Sequence, residues 1–143
     1  MHMYNRRRFL SAGALPFLSM LIRPFWETAS IPSKNYPMVV CTWAPNTKAA
    51  VAGWELLQQN ASVVDVVEAA IKVPEADPSD VSVGYGGLPD RDGKVTLDAC
   101  MMTGKGDCGA VLFLEGIKHS ISVAKAVMQK TPHVQLVGEG ALQ

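Results

Sequence analysis

The chain has 143 residues, of which 48% are hydrophobic and 18% are charged, with 13 basic and 13 acidic side chains. This length and composition suffice for one globular domain with a hydrophobic core, and they exclude a chain that is disordered throughout. The balanced charge lacks the positive surplus that nucleic-acid binding normally requires, so no nucleic-acid partner is expected.

The N-terminal segment has the layout of an export signal. Residues 6–10 read RRRFL, and mostly apolar residues continue to position 22, a run too short to span a bilayer as a helix. The pair Arg6-Arg7 ahead of Phe-Leu is similar to a twin-arginine signal, which exports folded proteins. Residues 1–33 are therefore predicted to be an export signal, and the mature protein is predicted to be periplasmic. A basic amphipathic arm or an uncleaved anchor is the alternative.

The domain is predicted to begin at residue 34 and to continue to residue 143. Residues 37–43, PMVVCTW, are apolar and rich in strand formers, which predicts a buried strand. Asn46 or Thr47 is placed to cap the helix that follows. The inward face of that helix is predicted to carry Ala50, Val51, Trp54 and Leu57.

A second helix is marked by a capping box, in which Ser62 is followed three residues later by Asp65. Pro74 is predicted to end this helix, and residues 75–80, EADPSD, are predicted to form a polar turn. The apolar stripe of the helix is predicted to consist of Val63, Val66, Val67, Ala70 and Ile71.

A strand hairpin is predicted next. In residues 94–102, alternation places Leu97, Ala99 and Met101 on one face and Asp98 on the other. Residues 103–107, TGKGD, are typical of a hairpin loop, and the apolar run 110–114 is its partner strand, predicted to be covered on both faces.

The last elements are a helix capped by Ser120 or Ser122, a strand at 134–137 and the start of a further helix at 138–141. The inward face of the capped helix is predicted to carry Ile121, Ala124, Val127 and Met128. Taken together, the elements predict an α/β fold with a mixed sheet. A domain rarely ends where a helix begins, so the sequence is expected to be part of a longer domain.

Two stretches carry a family resemblance. Residues 82–99 read SVGYGGLPDRDGKVTLDA, and residues 117–142 read IKHSISVAKAVMQKTPHVQLVGEGAL. Together they resemble the N-terminal half of glycosylasparaginase, also called aspartylglucosaminidase, an amidohydrolase with an N-terminal nucleophile. The resemblance implies a four-layer αββα sandwich, of which this chain is an incomplete N-terminal part.

The resemblance also implies a reaction. In that family a precursor cuts itself at an Asp-Thr bond, and the freed threonine attacks the β-N-acetylglucosaminyl-asparagine linkage and releases aspartate. The partners implied are a glycosyl-asparagine substrate, the C-terminal half of the same enzyme and, in the intact enzyme, further copies of itself. No cofactor and no metal are implied. The sequence contains no Asp-Thr pair, so no catalytic residue is assigned and the chain alone is expected to be inactive. An exported, non-catalytic binding module is the alternative.

Four residues are candidates for the site. The resemblance places Trp43 in the wall of the substrate pocket, whereas the residue type alone favours a core position. Gly86 and Gly87 belong to a turn that requires positive φ or close backbone approach, and the resemblance places that turn beside the active site. Asp98, predicted to be buried, is either a structural hydrogen-bonding residue or one that assists a nucleophile from the other half.

Other motifs support weaker alternatives. The glycine turn at 84–87 lacks the following Lys-Ser or Lys-Thr of a phosphate loop, and residues 90–93, DRDG, lack the remaining ligands of a calcium loop. Both are predicted to be turns. Cys41 is predicted to be a buried small hydrophobic residue rather than a nucleophile. Cys100 and Cys108 flank the hairpin loop, and whether they form a disulfide is left open.

Overall fold

The computed structural model describes residues 36–43 and 47–143, and residues 37–143 form one compact unit. The export signal predicted for residues 1–33 lies outside the described residues. Among the helices described, none is both long and apolar enough to cross a membrane. The helices and strands, in chain order, are α1 (Thr47–Gln58), α2 (Val63–Ala76), β1 (Leu97–Met102), β2 (Cys108–Leu114), α3 (Ser120–Lys130) and β3 (Gln135–Val137).

The three strands form one mixed sheet in the order β1-β2-β3. β1 and β2 pair antiparallel through the predicted hairpin loop, which is closed by a hydrogen bond from the Thr103 amide to the Asp107 carbonyl oxygen at 2.8 Å. β2 and β3 pair in parallel, and α3 supplies the crossover that parallel pairing requires. The predicted mixed α/β fold is therefore confirmed at this level.

Helix α3 covers one face of the sheet and creates the core there. Val111 and Leu114 of β2 are fully buried against Ala124 and Val127 of α3. The backbones approach so closely that a Cβ atom at Gly109 would clash with the main chain and side chain of α3. The alternation predicted for β1 is confirmed, because Leu97, Ala99 and Met101 are the more buried residues of the strand.

The opposite face of the sheet has no helix over it in the described part of the chain. Leu112 is 36% exposed and Met102 is 73% exposed. The prediction that residues 110–114 are covered on both faces is therefore wrong for the described residues, since α3 covers only one of the two faces. We call the set Cys100, Met102, Ala110, Leu112 and Val137 the open sheet face; the strand register places all five on that side.

Helices α1 and α2 pack against each other through small residues. A Cβ atom at Gly53 would lie 3.3 Å from the Cβ of Ala70, and Ala49 is also buried. The predicted inward face of α1 is wrong for Val51 and Trp54, which are 55% and 39% exposed, whereas Ala50 and Leu57 are half-buried. Small side chains allow two helices to approach more closely than bulky ones, and this contact turns the bulky residues of α1 outward.

The capping box of α2 is confirmed. The Ser62 hydroxyl oxygen accepts a hydrogen bond from the Asp65 amide at 3.2 Å and donates one to the Asp65 carboxylate at 2.7 Å. Val66 and Ala70 of the predicted stripe are buried, whereas Val63 is 70% exposed. The side of α2 that carries Val63 therefore lies at the rim of the core rather than inside it.

The strand predicted for residues 37–43 is wrong. This segment has no strand partner among the described residues; it runs across α1 and α2 and encloses with them an apolar groove of about 420 Å³. A strand requires a neighbouring strand for its backbone hydrogen bonds, and within residues 36–43 and 47–143 the strands β1, β2 and β3 pair only with each other. Cys41 is exposed, so its predicted burial is also wrong. The groove is lined by Pro37, Met38, Val39, Val40, Cys41, Leu57, Val63, Val66, Val67, Ala70 and Ile71.

Candidate functional site

The glycine turn at 84–87 packs directly on the end of α2. Gly84 has φ +58°, and a Cβ atom there would clash with the backbone of Glu75. A Cβ atom at Gly86 would clash with the carbonyl oxygens of Pro78 and Asp80. The prediction that this turn requires positive φ or close backbone approach is confirmed, since Gly84 shows both and Gly86 shows the close approach. The proximity of this turn to an active site stays a prediction.

Two short polar turns connect α2 to the glycine turn. The Asp77 carboxylate accepts hydrogen bonds from the hydroxyl and the amide of Ser79 at 2.6 and 2.8 Å, and these bonds, the hydroxyl first, lower the pKa of Asp77. The Asp80 carboxylate accepts the same pair of bonds from Ser82 at 2.5 and 2.9 Å. Local hydrogen bonds of this kind hold a turn in one conformation without help from distant residues.

Glu75 links the end of α2 to the beginning of α3. Only 2% of the residue is exposed, and its Oε1 accepts hydrogen bonds from the Ser120 hydroxyl at 2.7 Å and from the Ile121 amide at 2.9 Å. Its Oε2 lies 3.2 Å from Nδ1 of His119. A carboxylate at a helix N-terminus satisfies free amides and is favoured by the helix dipole. Glu75 therefore caps α3 from another helix.

Three sequence predictions are corrected at this junction. Pro74 does not end α2, which continues to Ala76, and Glu75 is buried rather than part of an exposed polar turn. Ser120 and Ser122 do not cap α3, because the capping position is His119, which makes no side-chain capping bond. The N-terminus of α3 is capped by Glu75, which is distant in sequence, and not by either of the two local serines. One signal in the sequence indicated that Glu75 could be buried: it follows Val67 and Ile71 at intervals of four residues and therefore lies on the apolar stripe of α2.

A second polar network joins the middle of the same two helices. The Nζ atom of Lys125 on α3 lies 2.5 Å from the carboxylates of both Asp65 and Glu68 on α2. Glu68 also accepts a hydrogen bond from Ser122 at 2.6 Å. Burial alone would raise the pKa of Glu68, but hydrogen bonds from Lys125, Lys72 and Ser122 lower it to about 2. These ion pairs and hydrogen bonds connect α2 to α3 in addition to the packing of the two helices.

Asp98 lies on the exposed side of β1. Its predicted burial is wrong, but it does form a structural hydrogen bond: Oδ1 accepts the amide of Phe113 at 2.8 Å. The strand register is irregular here, because Leu97 pairs with Leu114 while Ala99 pairs with Val111. Asp98 therefore faces two residues of β2, and its carboxylate is occupied at a β-bulge.

The structure brings together some of the predicted site residues. A Cβ atom at Gly87 would lie 3.7 Å from the Leu97 side chain, so the glycine turn contacts the strand that carries Asp98. Trp43 lies in a bend before α1 and is 62% exposed, so it is not a core residue in this chain. In the part of the chain that is described, no side-chain hydrogen bond connects Trp43 with the other candidates.

The remaining candidate motifs are turns or isolated side chains. Asp90 accepts hydrogen bonds from the amides of Asp92 and Lys94 at 2.8 and 3.0 Å, which confirms the turn predicted for residues 90–93. Over residues 36–43 and 47–143, no group of three or more His, Cys, Asp and Glu side chains is arranged to hold a metal. Cys100 and Cys108 are both free.

The chain is similar to known amidohydrolases. The N(4)-(beta-N-acetylglucosaminyl)-L-asparaginase of Elizabethkingia miricola is 44% identical over 144 residues, which cover 97% of this chain and 42% of that protein. The protein of the same name from Mus musculus is 44% identical over 110 residues, which cover 76% of this chain and 32% of that protein. A plant-type L-asparaginase of Pyrococcus abyssi is 48% identical over 97 residues, which cover 67% of this chain and 31% of that protein.

These matches define both the relationship and its extent. The chain spans about two fifths or less of the length of these relatives. A family model described as asparaginase matches residues 32–143. The resemblance inferred from the two sequence stretches is thereby confirmed, and the chain belongs to the asparaginase family.

Proposed function

We propose that this chain is the N-terminal part of an amidohydrolase that cleaves the β-N-acetylglucosaminyl-asparagine linkage and releases aspartate. The match to the E. miricola glycosylasparaginase over 97% of the chain carries this proposal. The matches to the plant-type L-asparaginase and to an isoaspartyl peptidase/L-asparaginase of Rattus norvegicus cover 67% and 66% of the chain. The longer match favours the glycosylated substrate over free asparagine or a β-aspartyl peptide.

In the proposed enzyme, the nucleophile is a threonine. It lies in the part of the polypeptide that corresponds to the unmatched portion of the longer relatives. Its α-amine accepts the hydroxyl proton as the hydroxyl oxygen attacks the side-chain amide carbon, and an acyl ester forms as the C–N bond breaks and the glycosylamine leaves with that proton. Water then hydrolyses the ester, which releases aspartate and restores the hydroxyl group. The residues present here build the surroundings of that reaction. Trp43 forms a wall of the substrate pocket, and Gly86, Gly87 and Asp98 shape the backbone near it. The chemistry requires no metal and no organic cofactor.

The complete fold is proposed to be a four-layer αββα sandwich. The exposed apolar side chains of the open sheet face support this, since a second sheet would cover them. The composition of residues 37–41, which favours a strand, supports it as well, because among the described residues these backbone groups pair with no strand and are available to a further one.

The proposal is tested with a chimera in which residues 1–143 precede the portion of the E. miricola protein that lies beyond the match. The chimera is expected to cleave itself into two polypeptides and to release aspartate from N-acetylglucosaminyl-asparagine faster than from L-asparagine or a β-aspartyl dipeptide. The 143-residue chain without that portion is the control and should release none. A folded chimera without hydrolysis would favour a non-catalytic module, and preference for L-asparagine would contradict the proposed substrate.

Trp43→Ala in the same chimera is expected to raise the KM for N-acetylglucosaminyl-asparagine about tenfold while the melting temperature stays within a few degrees. A side chain that is 62% exposed contributes little to the core, whereas an aromatic pocket wall orients the substrate. The control is Trp54→Ala on α1, which should leave KM unchanged. A loss of stability of about 3 to 5 kcal/mol, typical of a core tryptophan, would show that Trp43 is structural.

The export of this chain by the twin-arginine route is a further proposal, supported by the RRRFL motif at residues 6–10. A reporter protein fused after Ser33 is expected to reach the periplasm already folded. Replacing Arg6 and Arg7 with lysine should abolish that export, which cell fractionation measures. Equal export of the lysine variant would rule out this route.

A further inference from the structure

Tyr85 is an exposed aromatic residue inside the glycine turn. It is 69% exposed, and its two neighbours in the chain, Gly84 and Gly86, have no side chains that could cover the ring. The turn around it is closed by a hydrogen bond from the Gly87 amide to the Gly84 carbonyl oxygen at 3.1 Å. The backbones of Gly84 and Gly86 pack on the backbone of residues 75–80 without room for a Cβ atom. The turn therefore presents the ring from a fixed position.

The fold places Tyr85 at the same end of helices α1 and α2 as Trp43. Only four residues connect the end of α1 to the start of α2, so the two packed helices are antiparallel and α1 begins where α2 ends. Lys48, in the first turn of α1, lies near Asp77, which directly follows α2. After the hydrogen bonds from Ser79, the charge of Lys48 also lowers the pKa of Asp77.

Trp43 precedes α1 closely enough to border the same region. Three residues separate it from Thr47, so its Cα lies at most about 14 Å from the first residue of the helix. Trp43 is 62% exposed. Between α2 and the glycine turn, the chain adds carboxylate and hydroxyl groups, among them those of Asp80 and Ser82. Two exposed aromatic rings and several hydrogen-bonding groups are thus brought to one end of the helix pair.

This combination of groups suits a sugar. In the chair form of a β-linked N-acetylglucosamine the ring substituents are equatorial, so C–H groups form both faces of the sugar. Such a face packs on the electron-rich face of an aromatic ring, and the hydroxyl groups at its edge require polar partners. Free asparagine has no such surface. A ring in this position can therefore favour the glycosylated substrate without acting on the amide that is cleaved.

We propose that Tyr85 binds the N-acetylglucosamine ring of the substrate and thereby determines the preference for glycosyl-asparagine over free asparagine. This inference rests on the proposed function, which supplies the substrate and the role of Trp43 in the pocket wall. Tyr85 is then a specificity-determining residue. It takes no part in breaking the amide bond.

The test uses the chimera described above. Tyr85→Ala is expected to raise the KM for N-acetylglucosaminyl-asparagine about tenfold, whereas the KM for L-asparagine stays within twofold. Tyr85→Leu, which keeps an apolar side chain but no ring, should behave like Tyr85→Ala, and Tyr85→Phe should behave like the unaltered chimera. Leu88→Ala is the matched control, because Leu88 is 71% exposed beside the same turn, and it should change neither KM more than twofold.

Sugar binding is measured separately from hydrolysis by saturation-transfer NMR, with N-acetylglucosamine as the probe. Transfer from the chimera to the sugar C–H protons should fall in Tyr85→Ala and persist in Tyr85→Phe. An unchanged KM for the glycosylated substrate in Tyr85→Ala, an equal rise of KM for both substrates, or unchanged saturation transfer would each overturn the inference. A chimera that binds the sugar through Tyr85 but releases no aspartate would contradict the proposed function and support this inference.

Discussion

Gly84→Ala is expected to lower the free energy of unfolding of the chain by about 3 kcal/mol or more. A methyl group at this position would enter the backbone of Glu75, which the end of α2 cannot move without breaking its contacts with α3. Overpacking of this kind costs roughly 1–3 kcal/mol, and the positive φ of Gly84 adds about 1–2 kcal/mol for an alanine. Urea unfolding followed by circular dichroism measures the loss.

Alanine substitutions at two other glycines separate the cost of backbone strain from the cost of the steric clash. Gly93 has φ +81° and open space where a Cβ would be placed, so Gly93→Ala should cost only the backbone strain. Gly104 has open space and no positive φ, so Gly104→Ala should be nearly neutral. If Gly84→Ala were no more costly than Gly93→Ala, the close packing of the glycine turn on α2 would be contradicted.

Glu75→Ala is expected to destabilise the chain by about 3 kcal/mol. The Ser120 hydroxyl and the Ile121 amide would lose their shared acceptor in a buried position, and each unsatisfied buried donor costs about 1–3 kcal/mol. Glu75→Gln should cost less, because its amide oxygen still accepts from both donors. Hydrogen exchange should show faster exchange of the Ile121 amide in the alanine variant than in the glutamine variant.

The matched control is Glu55→Ala on the exposed surface of α1, which should change the free energy of unfolding by less than about 0.5 kcal/mol. Equal stability of Glu75→Ala and Glu55→Ala would show that α3 begins at Ser120 without the carboxylate of α2. Combining Glu75→Ala with Gly84→Ala should give less than the sum of the two effects, since the two changes act on neighbouring contacts of one residue, Glu75.

Local patterns in the sequence determined several features correctly. The capping box of Ser62 and Asp65 predicts the start of α2 because both partners lie within one helical turn. The alternation through Leu97, Ala99 and Met101 predicts which side of β1 faces the core, since the strand period is two. The glycine turn and the hairpin loop depend on backbone conformations that few residue types allow. The family was also recognisable from local sequence, because the resemblance lies in two continuous stretches, residues 82–99 and 117–142.

Other features were decided by residues far apart in the chain. Glu75 contacts Ser120 and Ile121 across 45 and 46 positions, so no local pattern could assign it the capping of α3. The bulge at Asp98 and the left-handed Phe113 depend on how two strands align, which composition does not encode. Residues 37–41 are a case in which a local pattern predicted an element that did not form. Their composition favours a strand, but strand formation also requires a neighbour, and only the tertiary arrangement determines whether one is within reach.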